Sequence, residues 1–161
     1  MKHPTIGWRR RVDPRASPDT LGVKEVVMSI AVLAKALSLW ICILIIAITN
    51  GSLREKTLIP IIGTFTGLIA SGIILSGCIF LVAFFAARWY GRLGSSQYWV
   101  IGLFWLSLTL LFEFGFGRFV QHKDWSDLLQ AYTFKGGNIW FIVLVVTLVS
   151  PWVAARLRGL V

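Results

Sequence analysis

The chain has 161 residues, 57% of them hydrophobic and only 14% charged, and its mean hydropathy is +0.76. A soluble domain has about 45–50% apolar residues and roughly a quarter charged, so the composition excludes an ordinary soluble enzyme and points to a one-domain membrane protein. The net charge is +9, yet six of the sixteen Lys and Arg precede residue 25. Such a cluster holds the flank of a first span in the cytoplasm. No RNA- or DNA-reading motif accompanies it, so nucleic acid is not an expected partner.

Residues 1–25 form a basic arm with Pro4, Pro14 and Pro18, too poor in apolar residues to fold alone. Residues 26–161 form the transmembrane domain. Its first span covers about 29–50, where roughly twenty residues at ~1.5 Å rise cross a ~30 Å hydrocarbon core. Lys35 lies within two turns of the start and snorkels to the interface. Asn50-Gly51-Ser52 is read as the end of that helix and 53–57 as a short polar loop. The second span, about 60–87, opens on Pro60, whose missing N–H costs nothing in a first turn. Gly63, Gly67 and Ser71 recur at spacing four, with Gly72 beside them, and small residues at that spacing predict a close helix-packing face. Arg88, Trp89, Tyr90 and Arg92 form an aromatic and basic belt before the turn at Gly94-Ser95-Ser96.

The third span covers about 98–117. In the following loop Trp125, Leu128, Leu129 and Tyr132 fall on one helical face, with Asp124 placed as N-cap. Residues 125–132 are therefore expected to form a short outer interfacial helix. The fourth span, about 138–156, contains Pro151, where a kink is expected. The predicted fold is all-α: a four-helix transmembrane bundle with a basic cytoplasmic N-terminal arm and a short outer interfacial helix. With the N terminus inside, the inner segments hold ten Lys and Arg and the outer loops five. That bias puts both termini in the cytoplasm of a bacterial inner membrane.

Glu113 is the only acid inside any span, and an intramembrane acid is a functional hypothesis that needs a partner. Arg118, just over a turn on, and Arg54 or Lys56, from the first outer loop, are the candidates. One reading is a structural ion pair; the other is a proton- or cation-binding site. Trp89, Trp99, Trp125, Trp140 and Trp152 lie near predicted interfaces and are expected to anchor the bundle. Trp40 and Trp105 lie deeper, where a bound lipid, quinone or pigment has room. Cys42 and Cys78 form no paired motif, and His122 with Asp124 and Asp127 is a weak metal trio. No Gly-rich phosphate loop, GxSxG or HExxH occurs. No catalytic residue, metal ligand or cofactor is therefore assigned.

Asn50-Gly51-Ser52-Leu53-Arg54-Glu55, the stretch from Phe112-Glu113-Phe114-Gly115 to Arg118, and the final Pro151 to Arg158 resemble segments of small four-span bacterial membrane proteins. The resemblance covers about a third of the chain and implies no activity. Small multidrug exporters carry their essential acid in the first span, where this chain has Lys35. Thiol-oxidising four-span enzymes need the cysteine pairs it lacks. The leading expectation is a non-catalytic accessory or scaffolding subunit of a larger inner-membrane complex, in contact with membrane lipids and other subunits. The alternatives are a small transporter or channel using Glu113, and a membrane enzyme acting on lipid or quinone.

Overall fold

A computed structural model describes residues 28–130 and 132–161, without the side chain of residue 127. The basic arm and its Trp8 lie outside the described residues. Every described element is helical. Helix α1 (Ile30–Leu53) starts on Ser29, whose hydroxyl accepts the Val32 N–H at 3.3 Å, an N-cap that satisfies one free donor. It does not stop at Asn50-Gly51-Ser52. The helix runs on through a π turn (Arg54–Leu58) into α2 (Ile59–Ile62), giving a continuous rod of 33 residues.

Two physical causes separate this from the expected loop. Asn50 is buried and its amide Nδ2 donates to Ser71 Oγ at 2.7 Å and to the Ser71 carbonyl at 3.3 Å. The side chain that reads locally as a helix breaker is thus bound across the bundle. Pro60 then sits inside the rod, where its ring would collide with the Lys56 carbonyl four residues back. The wider i→i+5 turn just before it relieves that clash.

Gly63 ends the rod with φ +81° and ψ 163°, a conformation essentially confined to glycine. A Cβ there would meet nothing within 4 Å. Gly63 is therefore a hinge between two spans rather than part of a packing face, and the second span starts at Thr64. The other three small residues do pack: Gly67 against Ile59, Ser71 against Asn50, and Gly72 against Ile139.

Helix α3 (Thr64–Tyr90) returns along the bundle and α4 (Ser95–Phe119) goes back out. Gln97 Oε1 accepts the Gly94 N–H at 3.1 Å at the start of α4. The short α5 (Trp125–Gln130) and a 3₁₀ turn (Lys135–Gly137) precede α6 (Trp140–Leu157), which continues unbroken through Pro151. Helix α5 stops two residues before Tyr132, and its predicted face divides. Leu128 is buried against Gly117, while Leu129 points outward.

Helix α6 packs on both α3 and α4, and α1 packs on the same two. Helices α1 and α6 thus occupy opposite corners with a space between them. The α4–α6 seam is tightest at Gly102, where an added Cβ would fall on the Leu148 carbonyl. Trp105 and Tyr98 are fully buried, and the Trp105 indole donates to the Ala36 carbonyl at 2.8 Å, tying α4 to α1. Lys35 reaches the bundle end as expected, donating to the Trp89 carbonyl at 2.9 Å beneath the indole ring. Two ends follow from this order. The near end holds the start of α1 and the end of α6; the far end holds the hinge, α5 and the start of α6.

Candidate functional site

The space between α1 and α6 is a cavity of about 680 Å³. Its floor is aliphatic, with Ile43, Leu75, Ile79 and Val143 all buried. Its wall is aromatic, from Trp40, Phe112, Phe116 and Trp140. Its rim at the far end carries Arg54, Glu55, Lys56 and Lys123, three cations against one carboxylate. The cavity exists because α1 and α6 are held apart by α3 and α4, and because small residues let those contacts close elsewhere.

Glu113 lines this cavity from α4. Tyr132 Oη donates to Glu113 Oε2 at 2.7 Å, and Trp140 Nε1 donates to the same oxygen at 2.7 Å. Both donors are fixed by packing. The Tyr132 ring stacks flat on Phe114 with centroids 6.0 Å apart. The Trp140 N–H at the start of α6 is capped by Asn138 Oδ1 at 2.9 Å. Burial first, then the hydrogen bond to Glu113, pushes the Tyr132 hydroxyl above the usual phenol range, so it remains a donor. Among the described residues no donor reaches Glu113 Oε1.

The expected ion pair is not formed. Arg118 turns to the Asp124 carboxylate at 3.6 Å and to the Lys123 carbonyl at 3.2 Å. Arg54 bonds its neighbour Glu55 at 3.0 Å. Arg118 sits more than a full turn beyond Glu113 on α4, closer to the far-end solvent, and finds a partner there. Arg54 does line the same cavity as Glu113, at its rim.

Trp140, expected as an interfacial anchor, also donates to Glu113 from the start of α6. Trp89 and Trp125 remain exposed, and Trp99 stacks on Trp152 at 5.6 Å on the bundle surface. The wall also holds Trp40, one of the two deep tryptophans, together with Thr109 and Asn50, which sequence reasoning did not single out as site residues. Trp40 donates to Thr109 Oγ1 at 3.1 Å, Thr109 Oγ1 donates to the Trp105 carbonyl at 2.8 Å, and Asn50 Oδ1 is buried with no partner among the described residues. A lone Asn in an apolar run was the available clue, since a buried amide demands partners.

Four helices long and apolar enough to cross a membrane define this chain as an all-α, multi-pass membrane protein. No protein-family model, curated protein or solved structure matches it.

Proposed function

We propose that the protein binds one amphiphilic lipid in the cavity between α1 and α6. The observation that carries this reading is a half-satisfied carboxylate, Glu113, in the wall of an otherwise mainly apolar cavity with a cationic rim. An aliphatic floor suits an acyl chain and a cationic rim suits a phosphate. The volume falls in the range of about 300–1,000 Å³ typical of ligand pockets. The Lys and Arg bias supports cytoplasmic termini in a bacterial inner membrane, and in that orientation the cavity opens toward the outer leaflet.

The accessory-subunit reading is supported less well. It rests on small-residue packing faces, the lack of a catalytic constellation and the basic arm. Gly67, Gly72, Gly102 and Gly117 are instead met by Ile59, Ile139, Leu148 and Leu128 of the same chain. A proton- or cation-transporting role needs a continuous polar path. Inside the cavity Thr109 and Thr147 spend their hydroxyl protons on the carbonyls of Trp105 and Val143, and the other acid lining it, Glu55, is paired with Arg54 at the rim. The test is native mass spectrometry after gentle extraction and delipidation. Wild type retains one lipid per chain, and Ala47→Trp, which fills the cavity from α1, retains none while keeping its thermal stability. A wild type stripped clean, or an Ala47→Trp variant still carrying lipid, contradicts the proposal.

A further inference from the structure

We infer that the lipid held in this cavity is a zwitterion with a primary ammonium beside its phosphate, the headgroup chemistry of phosphatidylethanolamine. The inference rests on the lipid-binding reading above and concerns which headgroup the site selects. Glu113 receives two neutral hydrogen bonds, both on Oε2, and no cation pairs with it among the described residues. A carboxylate in such surroundings is short of a counter-charge. A ligand ammonium placed at Oε1 supplies both the charge and an N–H donor. The rings of Trp40, Phe112, Phe116 and Trp140 line the same wall.

The rim adds the second half of the selection. Glu55 is occupied by Arg54 at 3.0 Å, and Lys56 and Lys123 stand at the same mouth. This arrangement attracts a phosphate and repels an amphiphile that is only cationic. A phosphatidylglycerol headgroup satisfies the rim but brings no positive charge to Glu113. A phosphatidylcholine headgroup brings charge without an N–H, so Oε1 gains no hydrogen bond. Only a phosphate linked to a protonated primary amine meets both demands, with the amine directed inward and the phosphate at the rim. Gly117, one turn beyond Glu113 and about 6 Å along the axis, also lines the cavity, so the cavity extends from Glu113 toward the far end.

The test uses the full chain reconstituted with equal amounts of phosphatidylethanolamine, phosphatidylcholine and phosphatidylglycerol of matched acyl chains. Retained lipid is identified after detergent washing. Wild type is expected to enrich the ethanolamine lipid about tenfold over either competitor, in line with one hydrogen bond between charged groups. Glu113→Gln keeps an acceptor for Tyr132 and Trp140, so it folds, and in whatever lipid it retains the preference for ethanolamine over choline is lost. Lys56→Gln with Lys123→Gln lowers retention of all three lipids. Equal retention of the three headgroups by wild type, or a preference that survives Glu113→Gln, overturns this inference while leaving lipid binding intact. Retention no greater than that of Ala47→Trp overturns the lipid-binding reading itself.

Discussion

Gly102→Ala tests the α4–α6 seam on which the cavity's geometry depends. The new Cβ would overlap the Leu148 carbonyl oxygen, with the Leu148 carbonyl carbon at 3.0 Å and its Cα at 3.5 Å. All three atoms are backbone in the middle of α6, so no side chain can swing aside. Overpacking in a tight core costs about 1–3 kcal/mol, and a rigid backbone contact belongs at the upper end. Replacing glycine by alanine in a helix returns about 1 kcal/mol. The net loss is thus about 2 kcal/mol, or a fall of roughly 4–8 °C in midpoint for a chain of this size. The control is Gly115→Ala on the same helix, where an added Cβ meets nothing within 4 Å. That variant should match or exceed wild type by up to about 1 kcal/mol. Thermal unfolding of the three proteins in one detergent, followed by circular dichroism, makes the comparison. If Gly102→Ala melts with or above Gly115→Ala, the close approach of α4 and α6 is wrong.

The Glu113 hydrogen bonds predict a split between two substitutions. Glu113→Gln keeps an oxygen for the Tyr132 and Trp140 donors and should melt within a few degrees of wild type. Glu113→Leu strands both donors and should lose about 2–5 kcal/mol. An equal loss in both would indicate a missing ion pair rather than missing hydrogen bonds. At the hinge, Gly63→Ala places a side chain at φ +81° and should lose about 1–3 kcal/mol from backbone strain alone, although the added methyl meets empty space. Unchanged stability of Gly63→Ala in the same melting assay would contradict the sharp turn between the rod and α3.

The four spans were legible because an apolar run long enough to cross a bilayer is a property of local sequence. The end of the first one was not. Asn50-Gly51-Ser52 carries every local sign of a break, and what keeps it helical is Ser71, twenty-one residues away. Pro60 was assigned to the wrong helix for a related reason. A proline in a first turn and a proline after a π turn look alike until the backbone is seen. The importance of Glu113 was visible from its charge and depth, whereas its partners were not. Arginines were the natural expectation for an isolated acid, yet Arg118 and Arg54 found nearer carboxylates in Asp124 and Glu55. Tyr132 and Trp140 were each noticed for an apolar reason, as a helix face and as an anchor. That their polar ends converge on one carboxylate oxygen depends on how α5 and α6 return to α4, which no spacing rule encodes.

Photo-crosslinking reports whether a lipid occupies the cavity between α1 and α6. A phosphatidylethanolamine with a photoactivatable group in its acyl chain is reconstituted with the protein, illuminated, and mapped by peptide mass spectrometry. The account predicts crosslinks concentrated at the cavity floor and wall, on Ile43, Phe112 and Val143, and their loss in Ala47→Trp. Crosslinks confined to the outward faces of the helices, on residues such as Ile45, Leu103 and Leu111, and unaffected by Ala47→Trp, would contradict it.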